Sequence, residues 1–412
     1  MNQELRSDAE KIVRRAIEAV KPDRAVQEAL RDFRPGGRVI LVAAGKAAWQ
    51  MAAAASACLG DVLTSGVVIT KYHHVQGDIP RVACYEGGHP TPDAGSYTGT
   101  SAALALTENL SEEDTVLFLL SGGGSALFEK PLIDSEELQD ITGQLLACGA
   151  DIREINTIRK RLSAVKGGRS GQWCAPAQVY SVILSDILGD PIDMIASGPT
   201  VADRSTCEQA MAVVKKYGLR LSIQAEQYLG EETPKVLDNS TFRVTGSVKE
   251  LCSQAAAVCE ELDYEVHYLT DCMECEARDA GTFLASILRS HLADNKKMAY
   301  IAGGENVVHL KGKGLGGRNQ EIALAAAKGL AGIHRAAVIS VGSDGTDGPT
   351  DAAGGYTDGD TATELAEKGL TVDAVLAEND AYHALSAVGG LIVTGPTGTN
   401  VNDVTVALLG EV

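Results

Sequence analysis

Thr115-Val116-Leu117-Phe118-Leu119-Leu120-Ser121-Gly122-Gly123-Gly124-Ser125 is the stretch from which the fold is read. A run of strand length, apolar beyond its first residue, gives way to three glycines flanked by hydroxyls. Such a run suits a strand buried on both faces, as in a parallel sheet covered by helices. The glycines permit the tight turn that carries the chain from strand to helix, and they free backbone N–H groups to face an anion.

The same alternation extends in both directions. Upstream, 39–43 reads as a buried strand, Gly45-Lys46 as its turn and 47–59 as an alanine-rich helix. Residues 67–70 and 81–85 read as strands and 95–110 as a helix. Ser7-x-x-Glu10 has the form of a capping box for a helix carrying Ile12, Val13, Ala16, Ile17 and Val20. Downstream, 135–148 and 152–165 read as helices and 179–184 as a strand ending near Asp186. The polar stretch 230–240 contains Pro234 and no apolar period, and so marks a boundary. Beyond it the pattern restarts, with strands at 242–244, 265–268, 298–302, 306–310, 336–341 and 391–393 and helices at 248–262, 276–291 and 320–329. A polar turn at 394–403 comes last. The fold class is therefore α/β, in two domains, 1–237 and 238–412, each a mainly parallel, Rossmann-like sheet flanked by helices.

Composition narrows the function. With a formal charge of −19, the surface repels nucleic acid and anionic lipid, so neither nucleic-acid nor membrane partners are expected. Nine scattered cysteines and an N-terminus mixing acids and bases suggest a soluble, cytoplasmic protein. The one C-x-x-C, Cys272 to Cys275, has no matching zinc ligands at finger spacing.

Against this acidic background, basic and glycine-rich strand-end loops stand out. Lys46 opens a helix, where a cation faces the positive end of the dipole unless an anion is bound. Ser121, Gly122, Gly123, Gly124 and Ser125 form a candidate phosphate nest. Asn156, Arg159 and Lys160 belong to the densest basic cluster, suited to a carboxylate or a phosphate. Asp186 and Asp190 share one strand-end loop, which suits Mg²⁺ or general-base chemistry. Gly312, Gly314 and Gly317 match G-x-G-x-x-G, with Asp344 near the end of the next strand, so a dinucleotide site stays open. No G-x-S-x-G elbow or H-E-x-x-H motif occurs, which disfavours a serine hydrolase or catalytic zinc.

Taken together, the loops 86–93 (Glu-Gly-Gly-His-Pro-Thr-Pro-Asp), 121–125, 159–169, 195–200, 316–321, 345–351 and 394–403 carry a likeness that spans nearly the whole chain. The sequence resembles the glycerate 2-kinase family with a C-terminal MOFRL-type domain. That resemblance implies two α/β domains with an interdomain cleft, and ATP with Mg²⁺ phosphorylating D-glycerate to 2-phosphoglycerate by direct in-line transfer. It places the active-site lysine and arginine on Lys46 and Arg318. With these go Asp186 as the residue acting on the glycerate hydroxyl, and the 121–125 loop, Asn319 and Asp344 toward the nucleotide. Asn156, Arg159 and Lys160 are expected to meet glycerate, and Asp190 and Glu305 the metal. A glycerate 3-kinase and an NAD(P)H-dependent hydroxypyruvate reductase remain as alternatives, and a homodimer is left open. Leu188 stands where the family usually has proline, and Asn306 where it usually has threonine.

Overall fold

Val39–Ala44 (β1) is buried at every position, as its unbroken apolar run requires. In the computed structural model, which describes residues 2–411, it lies at the centre of one six-stranded sheet. The chain divides into two units. The first holds residues 25–185 and 190–245; the second holds the chain up to Arg24, Asp186–Gly189 and the chain from Gly246 onward.

The first unit adds Leu63–Lys71 (β2), Val82–Gly87 (β3), Thr115–Leu120 (β4), Gln178–Leu184 (β5) and Ser240–Gly246 (β6). Their order is β3-β2-β1-β4-β5-β6. The ladders from β3 through to β5 are all parallel. Helix Ala48–Leu59 buries Ala48, Ala52 and Ala55 against the sheet, small side chains that let it lie close, with Met51 filling the space between them.

The second unit holds Glu265–Met273 (β7), Met298–Gly304 (β8), Ala336–Gly342 (β9), Gly354–Asp358 (β10), Leu391–Ile392 (β11) and Asp403–Leu409 (β12). Its order is β11-β10-β9-β12-β8-β7. Strands β7, β8, β9 and β11 run one way, and β10 and β12 run against them. Strand β12 is central and covered on both faces. Val404, Val406 and Leu408 face one core, and Ala407 and Leu409 the other, as the two-residue period dictates.

Several sequence expectations shift. A single cut between 237 and 238 does not describe the units. Strand β6 completes the first sheet, while helix Gln3–Ala19 buries Leu5, Ile12, Val13 and Ile17 in the second unit's core. That helix starts earlier than Ser7: the Asn2 side chain accepts the N–H groups of Glu4 and Leu5, leaving Ser7 and Glu10 inside it. Residues 306–310 form no strand; Val307 makes a lone bridge to Glu276, and Leu310 is 80% exposed. Among the described residues, no helix is long and apolar enough to cross a membrane.

Candidate functional site

In the first unit, β1 connects onward to β2 on one side of the sheet, and β4 lies on the other. The crevice beyond the carboxyl ends of β1 and β4 is thus a topological switch point, where ligands bind in sheets of this kind. The two turns there are laced together. Lys46 N–H donates to the Gly122 carbonyl at 2.9 Å, and Ala47 N–H to Ser121 Oγ at 3.1 Å. Gly45 has φ +132°, and a methyl group there would stand 2.1 Å from Ser121 Oγ, so no other residue fits. The Lys46 side chain remains exposed. Beside it stands His89 of the 86–93 loop, to which the sequence alone gives no role. A methyl group on Gly123 would meet His89 Cδ2 at 3.0 Å and Lys46 Cγ at 3.2 Å. Burial, then Lys46 and Lys71, hold the His89 imidazole below its ordinary value, so it is neutral at pH 7.

Behind the Ser121–Ser125 turn lies a buried ionic cluster. Lys166 Nζ donates to the carbonyls of Ser125 (2.8 Å) and Phe128 (2.9 Å) and lies 3.3 Å from Glu129. Glu129 accepts from Ser163 Oγ at 2.5 Å and from Lys130 N–H at 3.0 Å. Arg159 Nη2 donates to the same Ser125 carbonyl at 2.9 Å. Ser197 Oγ lies 3.1 Å from Ser125 Oγ and donates to Asn156 Oδ1 at 2.8 Å. Arg159 and Asn156 therefore hold the turn from behind. Lys160 is turned inward as well: it is 2% exposed and lies 3.1 Å from both Asp193 and Asp203. Two carboxylates thus already balance its charge. Glu129 was legible only as an acid closing the apolar run Ala126-Leu127-Phe128.

The second unit carries a cavity of about 510 Å³ at the N-terminus of helix Arg318–Leu330. Arg318 donates through Nε to Asp403 at 2.5 Å and through Nη2 at 3.1 Å, and Nη1 reaches Glu305 at 3.2 Å. Three of its five N–H donors are thereby engaged and its direction is fixed. Burial opposes its charge, but Asp403 outweighs burial and holds the guanidinium above its ordinary value. Burial pushes the Asp403 carboxyl up to about 6 against the pull of Arg318. The helix N-terminus is already occupied: the Asp347 carboxylate accepts the N–H groups of Asn319 (3.1 Å) and Gln320 (2.9 Å). Asn319 is 1% exposed, with Nδ2 on Asp347 and Oδ1 accepting from Ser340 Oγ at 2.6 Å, so it braces the helix start instead of facing a nucleotide. Asp344 lines the cavity, turned by a bond from Thr346 N–H at 2.9 Å. Asp186 belongs to this unit, and its carbonyl accepts from Asn402 Nδ2 at 3.3 Å. Leu188, two residues on, packs against this unit's core.

The G-x-G-x-x-G match does not make a dinucleotide cradle. No strand leads directly into it among the described residues, and four of its N–H groups are spent within the protein: Lys311 and Gly312 donate to Asn379 Oδ1, Gly314 to the Glu378 carbonyl and Leu315 to Asp380. Among the described residues, no three His, Cys, Asp or Glu side chains converge to hold a metal ion. Asp190 has a left-handed backbone (φ +48°) and an Oδ1 without a partner, and Glu305 is exposed. Such donors suit a Mg²⁺ that keeps waters and arrives on phosphates, which needs only one or two carboxylates.

Comparison with known proteins adds to this geometry. Residues 8–230 match a domain of unknown function (DUF4147), and residues 298–403 match the MOFRL family. The chain is 49% identical to the D-glycerate 2-kinase of Thermotoga maritima, with 98% of each chain covered. It is 39% identical to the glycerate 2-kinase of Pyrococcus horikoshii, over 97% of this chain and 96% of that one. A crystal structure of glycerate kinase from Thermotoga maritima superimposes with a TM-score of 0.95 at 49% identity, covering 99% of this chain and 100% of that one. Other relatives carry the words hydroxypyruvate reductase in their names.

Proposed function

Because the chain belongs to the glycerate kinase family, we propose that it transfers the terminal phosphoryl group of ATP to D-glycerate, giving 2-phosphoglycerate. The observation that carries the reading is a pair of cations on rigid turns: exposed Lys46 at the switch point of the first sheet, and Arg318 fixed by Asp403 in the second unit. Phosphoryl transfer asks mainly for positioning and charge neutralisation, which such residues supply. In the proposed step the glycerate oxygen bonds to the terminal phosphorus while the bond to the bridging oxygen of ADP breaks, in line. The hydroxyl proton passes to Asp186. Lys46 and Arg318 both neutralise the phosphoryl group in flight, and the N–H groups of the Ser121–Ser125 turn receive phosphate oxygens. Mg²⁺ held by Asp190 and Glu305 would supply further charge neutralisation when bound.

Two features weigh against the reductase alternative. In the glycine loop at 311–317 the N–H groups of Lys311, Gly312, Gly314 and Leu315 are committed internally, and the helix start beyond it is capped by Asp347. A pyrophosphate would have to displace a buried carboxylate there.

The test is incubation of the purified protein with D-glycerate, ATP and Mg²⁺. ADP and a phosphoglycerate should form in equal amounts, with phosphorus NMR separating the 2- from the 3-isomer. Consumption of NADH with hydroxypyruvate, while ATP is ignored, would overturn the reading.

A further inference from the structure

The cavity of the second unit holds more than the phosphoryl step requires. Glu305, Asp344, Asp347 and Asp403 line it, and Arg318 is the one cation among the described residues that do so. A small carboxylate entering it meets mostly like charge. Val308, Leu310 and Pro349 give it an apolar side, and its volume of about 510 Å³ exceeds what a three-carbon acid fills.

Asn306 also lines this cavity and is 2% exposed. Its Nδ2 donates to the Cys275 carbonyl at 2.9 Å and lies 3.4 Å from Cys275 Sγ, which fixes the amide. Its Oδ1 has no partner within the protein. A buried acceptor left open in this way is costly unless a ligand supplies a donor. The cavity thus combines an apolar wall, a surplus of acceptors and a single cation. Those features match a flat, neutral, donor-bearing group attached to a phosphate chain, and they do not match a hydroxy acid.

We propose that this cavity takes the nucleoside part of the phosphoryl donor, with the base against Leu310 and its exocyclic amine donating to Asn306 Oδ1. The proposal rests on the kinase reading above and adds to it the place and identity of the base. It makes Asn306 the residue that selects adenine over hypoxanthine, in which a carbonyl replaces the amine and would face an acceptor.

Kinetics and calorimetry on the full chain test it with two variants, Asn306→Leu and Leu310→Asp. Leu310 is 80% exposed, so its substitution leaves folding intact. The wild type should use ATP over ITP by about tenfold in kcat/KM, the yield of one hydrogen bond gained against one acceptor opposed. Asn306→Leu should erase that preference. Both variants should raise the KM for ATP and the Kd for ADP by about tenfold, while the KM for D-glycerate stays put. Adenosine should compete with ATP and not with glycerate. A raised glycerate KM with ADP binding unchanged, or variants that move neither constant, would overturn the proposal. Absence of ADP binding to the wild type would overturn it as well. Should ADP bind and the variants weaken it while no hydroxy acid is phosphorylated, the kinase reading falls and the nucleoside site stands.

Discussion

Lys166→Met probes the support beneath the glycine turn. Lys166 is fully buried, and its ammonium holds the carbonyls of Ser125 and Phe128 while facing Glu129 at 3.3 Å. Methionine fills similar space but strands Glu129, whose other cation, Arg159, stands 3.7 Å away. Breaking a buried ion pair from one side costs about 3–5 kcal/mol. For a cooperative unit of this size, that lowers Tm by roughly 10 °C. The companion variant Lys166→Met with Glu129→Gln removes both charges and should cost less than the single change, because no buried charge is stranded. Chemical denaturation at pH 7 measures the effect. A single variant within about 0.5 kcal/mol of wild type at pH 7, or a double variant worse than the single, would refute the reasoning.

Other consequences follow from the same geometry. Burial raises the Asp403 carboxyl to about 6, so its protonation below that pH releases Arg318; kcat should fall as pH drops through 6, and Asp403→Asn should be slow at every pH, with that acid limb gone. The same raised value means that the Asp403 contribution to stability is greatest below its ordinary pKa of 3.8 and is lost as pH rises through 6, which urea titrations of wild type and Asp403→Asn would separate. Gly45→Ala forces a methyl group into Ser121 and should destabilise the first unit by about 2–4 kcal/mol, seen as a lower midpoint in denaturant. Lys160→Met should destabilise the fold yet leave the KM for glycerate unchanged at low temperature, since Asp193 and Asp203 already hold that lysine.

How far the sequence revealed the molecule depends on where its signals were local. Buried parallel strands announce themselves, and β1, β4, β5 and β9 lie close to where their apolar runs put them. Strand β10 opens on two glycines and offers only Tyr356 as a large apolar residue, so nothing in its own residues marks it. Strand β12 went unread: its residues 404–409 are apolar apart from Thr405, and its place between β8 and β9 comes from pairing across the whole second unit. At the candidate site, Lys46 stood out because a cation at a helix start is a local anomaly, and Arg318 was placed by the family resemblance. The internal partners of Lys160, Arg159 and Asn319 were not legible, because Asp203, Ser125 and Asp347 are 28 or more residues away in sequence. A basic cluster cannot be told from a buried ion network until those partners are known. His89 lay in the quoted 86–93 loop without a role, and Glu129 gave no pattern of its own; both became interpretable only through what surrounds them.

Phosphorus NMR of the reaction with D-glycerate, ATP and Mg²⁺, run side by side on wild type, Lys46→Ala and Arg318→Ala, bears most directly on the central claim. The account predicts 2-phosphoglycerate from the wild type, and rates lower by about 10²–10³ for each variant, with folded far-UV spectra retained. A variant that turns over at the wild-type rate would contradict it.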